Sequence, residues 1–150
     1  MKAHEEIEED FPKLNQSNYT ITSCTDGHYN CLSWAVGDIS NKWDSSLVGK
    51  GYYWLPGVGR DDTFDQWAEI FKRHGYEATS SAKHEKGFEK VAIYGDDEGA
   101  QHVARQLQDG NWTSKLGDGP DIQHATPEIL EGDYYGRVVR LLKRRRIDWD

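Results

Sequence analysis

Cysteine is scarce: Cys24 and Cys31 are the only two in 150 residues, alongside four prolines and one methionine. Two thiols cannot build a disulfide scaffold, so a packed core must hold the fold, and the chain reads as a reduced, cytoplasmic protein. A secretory signal is missing too, since MKAHEEIEED is acidic and lacks the basic-then-apolar order; export by a route without such a signal stays open. No apolar run nears the length of a bilayer-spanning helix, and no membrane partner is expected. Positive charge is in deficit: 18 Lys and Arg against 26 Asp and Glu leave a formal charge of −8. A duplex-DNA binder needs a net basic face, so no nucleic-acid partner is expected. The basic run LLKRRR, Leu141 to Arg146, is short and followed by IDWD, and reads as a solvated strand end.

Aromatics, by contrast, are plentiful, with six Trp, eight Tyr and four Phe, which points to a folded chain rather than a disordered one. The length predicts one domain over residues 1–150, with residues 1–15 a flexible acidic arm. NYTITSC, Asn18 to Cys24, is a weak extended piece. Asn30 supplies an N-cap side chain, Cys31 to Val36 make a compact helical turn or two, and Gly37 ends it. Residues 38–61 read as a long loop whose aromatics, Tyr53 and Trp54 among them, either pin it to the core or line a groove. The clearest helix is TFDQWAEIFKRHG: Thr63 and Gln66 have capping-box spacing, the apolar stripe runs from Phe64 to Phe71, and Gly75 stops it. Strands follow, namely FEKVAIYG, AQHVARQL, WTSKL after the QDGN turn, and finally YYGRVVRLLKR. Helices first and an antiparallel meander after them make an α+β fold.

Chemistry centres on Cys31. A thiol at the first turn of a helix meets the positive end of the helix dipole and free N–H groups, both of which favour the reactive thiolate. It also needs a base, and His102 fits best: it lies in a predicted strand, on the face away from Val103 and Leu107.

This pairing resembles the compact papain-like fold of the NlpC-type and CHAP cysteine hydrolases. It also resembles a small bacterial family with YNC-x2-WA and HxARQL…GxWTSKLG motifs, over residues 27–38 and 88–117. The resemblance implies a Cys31–His102 dyad, no cofactor, and a peptide, amide or protein substrate attacked through a thioester. It also implies a third polar residue about twelve positions after the histidine, which falls on Ser114, where His, Asn, Gln or an acid is usual.

Hairpin geometry bears on that third position. A two-residue turn at Asp109-Gly110 would set His102 opposite Gly117 and turn Ser114 to the other face. A three-residue loop would instead bring Ser114 beside His102. The apolar pattern of Val103 and Leu107 with Trp112 and Leu116 favours the two-residue turn, and Asp121 and His124 are the alternatives. The oxyanion donors expected are the Cys31 N–H with Tyr29 or Asn30.

Two competing readings remain. Cys24, His28 and Cys31, completed by His102 or His124, could make a zinc site, but the spacing offers only one of the usual two ligand pairs. A non-catalytic binding, immunity or adaptor module on a degenerate hydrolase scaffold is supported by the acidic charge and the unusual Ser114.

Overall fold

The strongest helical pattern in the sequence folds as written. In the computed structural model, which describes residues 2–15, 17–22, 30–36, 54–55, 57–59, 61–116 and 120–146, Thr63 accepts from the Gln66 N–H and the Gln66 side chain returns to the Thr63 N–H. This reciprocal cap satisfies donors that a helix start leaves orphaned. Two further helices precede the capped one. In chain order these are α1 (Lys2–Asp10), α2 (Cys31–Val36) and α3 (Phe64–Arg73). Trp67, Ala68, Ile70 and Phe71 form the buried stripe of α3.

The strands are β1 (Tyr19–Ile21), β2 (Glu77–Thr79), β3 (Phe88–Asp96), β4 (Gly99–Gln106), β5 (Trp112–Lys115), β6 (Asp121–His124) and β7 (Arg137–Arg145). They make one sheet in the order β1-β6-β5-β4-β3-β7-β2, and every pairing is antiparallel. Three of the expected strands form the meander as β3, β4 and β5, the unexpected β6 extends it, the last expected strand, β7, pairs back with β3, and the fold is α+β. A short 3-10 turn, Pro127–Leu130, links β6 towards β7.

Both faces of the sheet are buried, which is why β3 carries seven consecutive buried residues rather than an alternating pattern. Val91, Ile93, Val103 and Leu142 pack against Leu32 and Ala35 of α2 and the stripe of α3. On the opposite face, Ala92, Tyr94, Ala104, Trp112 and Ile122 pack against Ile7, Phe11, Leu14, Leu130 and Tyr135.

That second core corrects the expectation of a flexible arm. Residues 2–10 are helical, and Ile7, Phe11 and Leu14 are buried at 3–6% exposure, because i, i+4 and i+7 spacing gives even this acidic segment one apolar edge. Among the described residues no helix is long and apolar enough to cross a membrane. Most of the aromatic loop, including Tyr53, and the helix-ending Gly37 lie outside the described residues. Trp54 is described: it is buried, and its indole N–H donates to the carbonyls of Val58 and Gly59.

Candidate active site

The β4–β5 hairpin decides what faces His102. Leu107 N–H donates to Asn111 O at 2.7 Å, and Gly110, left-handed at φ 91°, closes a loop over residues 108–110. Arg105 therefore pairs with Thr113 and Gln106 with Trp112. The expected two-residue turn is overturned: Gly110 takes the left-handed position of a three-residue loop, and the register moves by one. That shift places Ser114 on the same face as His102.

A hydrogen-bonded chain results. His102 Nε2 lies 3.0 Å from Ser114 Oγ, Ser114 Oγ lies 2.8 Å from His124 Nε2, and His124 Nδ1 lies 2.9 Å from the Thr126 carbonyl. All three side chains are at most 1% exposed. Burial holds both imidazoles neutral. It lowers His124 to about 4 against the carbonyl's opposing pull, and it pushes His102 well below the usual histidine range, with His124 adding to the effect.

Neutral rings fix the protons. A carbonyl only accepts, so His124 carries its hydrogen on Nδ1 and offers a bare Nε2. Ser114 has one hydrogen, which goes to that nitrogen. Its oxygen then accepts from His102, whose hydrogen must be on Nε2. The lone pair of His102 is left on Nδ1, a buried atom with no hydrogen-bond partner among the described residues, the Cys31 sulfur included. The Thr126 carbonyl thus sets, through two side chains, which nitrogen of His102 is basic.

Tyr135 covers the ring. The two rings stack 4.0 Å apart and 3° from parallel, with Tyr94 tilted against the imidazole at 5.1 Å. Tyr135 sits in a loop closed by paired backbone bonds between Gly132 and Gly136. Gly136 is left-handed at φ 78°, and a Cβ there would strike the Gly95 carbonyl, so only glycine lets the loop approach β3 this closely.

Cys31 opens α2, with Trp34 N–H donating to the Asn30 carbonyl at 2.8 Å. Helix α2 docks across β4 and β5. Leu32 and Ala35 enter the core, and the Trp34 indole donates to Thr113 Oγ1 at 3.0 Å. The backbone N–H of Val103, the residue after His102, is turned on the Cys31 sulfur, as are those of Leu32 and Cys31 itself. These and the Lys115 ammonium favour the thiolate, while desolvation at this half-buried position is the larger influence and pushes the thiol up to about 11. Desolvation of the charged form thus works against the depressed thiol expected at the start of this six-residue helix. The negative charge of a Cys31 thiolate would act on Tyr135 directly, so Cys31, Tyr135 and His102 share one neighbourhood.

The other expected residues divide. Asn30 stands at the helix start, whereas Tyr29, Cys24 and His28 lie outside the described residues. Asp121 pairs with Lys115 in the β5–β6 register, on the face away from His102, so it does not orient the imidazole. Ser114 does so directly and His124 stands behind it. Tyr135 and the Thr126 carbonyl were not legible as site groups. The only sequence trace of the loop is the glycine pair flanking DYY in EGDYYG.

Among known proteins, no curated protein and no solved structure matches the chain. A family model described as a domain of unknown function (DUF7689) matches residues 20–143, a span that holds Cys31, His102, Ser114 and His124. The chain belongs to that family.

Proposed function

We propose that the chain is a cysteine hydrolase of the papain-like, NlpC-type or CHAP-like class, an amidase, peptidase or deamidase with Cys31 as nucleophile and His102 as general base. One observation carries this reading: a buried imidazole is locked by Ser114, His124 and Thr126 with its basic nitrogen unspent, one residue from a backbone N–H that holds a helix-start thiol. A merely structural histidine in a core normally uses both nitrogens.

Burial favours a neutral thiol beside a neutral imidazole, so the proton moves as the bond forms rather than in a resting ion pair. Cys31 Sγ–H gives its proton to His102 Nδ1 while sulfur bonds to the substrate carbonyl carbon, and the carbonyl electron pair moves onto oxygen. The oxyanion is held by the Cys31 N–H and a second donor, for which Asn30 and Tyr29 are the candidates. On collapse the C–N bond breaks and the imidazolium protonates the leaving nitrogen. Water, deprotonated by His102, then attacks the thioester and returns the thiol. Because Tyr135 lies flat on His102, substrate entry requires the 132–136 loop to move aside.

A second reading, a non-catalytic binding module on the same scaffold, draws support from the raised thiol and the covered imidazole. Acylation by p-nitrophenyl acetate separates the two. Mass spectrometry should find one acetyl group on Cys31, absent in Cys31→Ala and formed roughly 10²–10⁴-fold more slowly in His102→Ala, the range for general-base assistance. Circular dichroism should show both variants folded. Equal rates in the His102 variant, or no adduct on Cys31, would leave the binding module as the better reading.

A further inference from the structure

Helix α1 carries Glu6 and Asp10 one turn apart, beside its buried Ile7 and Phe11. Two carboxylates at this spacing repel, and Asp10 also ends the helix, where the dipole is negative. Neither placement stabilises the helix. Both residues line a cavity of about 130 Å³ whose other walls include Leu116 and the rings of Phe11, Tyr134 and Tyr135. Sites for drug-sized ligands run to about 300–1,000 Å³, so this one has room for a single side chain.

The walls suit a cation on an aliphatic stem. Among the described residues neither Glu6 nor Asp10 has an ion-pair partner, whereas the nearby acid Glu131 is taken by Lys13 at 3.6 Å. The three rings lie with centroids 5.0–5.2 Å apart, and Tyr134 keeps 57% of its surface exposed. An aromatic face of this kind attracts an ammonium. Tyr135 is the more telling wall. It is only 7% exposed, and its hydroxyl makes no hydrogen bond among the described residues. A buried tyrosine hydroxyl normally finds a partner, and an ammonium N–H would supply one.

The cavity also adjoins the chemistry. The Tyr135 hydroxyl senses both the Asp10 carboxylate and the Cys31 sulfur, and its ring stacks 4.0 Å from that of His102. Glu6 and Asp10 lie on α1, outside the 132–136 loop, so this anchor does not depend on the loop staying closed.

We propose that this cavity is the anchoring subsite of the substrate, and that the substrate is an amide or peptide bearing a primary ammonium group, as on a lysine-type side chain. The ammonium lies between Glu6, Asp10 and the Tyr134 face, and its alkyl stem rests on Leu116. The assignment deepens the hydrolase reading and rests on it.

Titration of Cys31→Ala with n-butylammonium and with 1-butanol, followed by the ring resonances of Tyr134 and Tyr135, reads the cavity apart from the chemistry. Saturable shifts at about millimolar butylammonium, within reach of a ligand this small, and none with butanol are expected. Adding Glu6→Gln and Asp10→Asn should weaken binding roughly fivefold or more. Both residues are exposed, so the melting temperature should hold, and Glu6→Gln alone repeats the comparison if the double variant proves unstable. In the parent chain, p-nitrophenyl 6-aminohexanoate should acylate Cys31 faster than the matched heptanoate ester, with the ratio falling towards one in the double variant. Absence of butylammonium binding, binding indifferent to the two carboxylates, or an unchanged ester ratio would overturn the subsite, while acylation of Cys31 by the heptanoate ester would leave the hydrolase reading standing. Carboxylate-dependent binding with no acylation of Cys31 by either ester would overturn the hydrolase reading, and the substrate assignment with it.

Discussion

Ser114 has one hydrogen to give, and the protonation of His102 follows from where it goes. With the Thr126 carbonyl fixing His124, the hydroxyl donates inward and His102 keeps its basic nitrogen bare. The same burial makes the chain sensitive to acid. In the unfolded chain His124 takes a proton near its ordinary value of 6.5, but in the folded chain only near 4. Below 6.5 the unfolded state therefore binds the proton first. Stability is full above that pH, falls as pH drops from 6.5 to 4, and levels off for this group below 4. The loss from His124 alone should reach about 2 kcal/mol by pH 5 and roughly 3 kcal/mol by pH 4. His102 acts in the same direction. Urea denaturation at pH 7.5 and 5.0, where carboxylates barely titrate, checks this, and an unchanged unfolding free energy would show that these imidazoles are not held neutral.

At the scale of elements, local rules wrote some pieces and tertiary contacts wrote others. Helix α3 was legible because capping box, apolar stripe and stop residue agree within one short window. Thr63→Ala should cost about 1 kcal/mol and Thr63→Ser much less, since serine restores the accepting oxygen. Thermal or urea unfolding reads that difference, and equal losses would mean the cap contributes little. The β4–β5 turn was misread because alternation of Val103, Leu107, Trp112 and Leu116 presumes one buried face, whereas both faces are buried and Trp112 packs on the side opposite Val103. Strand β6 escaped notice for a related reason: Asp121, Gln123 and His124 are polar, and their strand conformation comes from pairing with β1 and β5 rather than from propensity. Residues 2–15 look like a solvated arm from composition alone, yet three apolar side chains fix them to the sheet.

Across the whole molecule, the sheet order gathers groups that lie far apart in the chain. Helix α2 reaches over β4 and β5 so that Cys31 meets the backbone beside His102, while β5, β6 and the 3-10 turn stack Ser114, His124 and Thr126 behind the ring. Cys31 and His102 were singled out by residue type, order and resemblance, and Tyr135 stands near both. Ser114 fell where the resemblance puts a third residue and His124 stood among the alternatives, but their joining with Thr126 into one relay was not legible, since it depends on a one-residue register and a main-chain carbonyl, neither of which has a residue signature. The most direct test is the tautomer of His102, read from long-range nitrogen–proton correlations in ¹⁵N-labelled protein at pH 7. A bare, pyridine-like Nδ1 with a protonated Nε2 is predicted, and it should lose definition in Ser114→Ala. A protonated Nδ1 with a bare Nε2 would mean that the chain of hydrogen bonds runs the other way and that His102 cannot take the Cys31 proton.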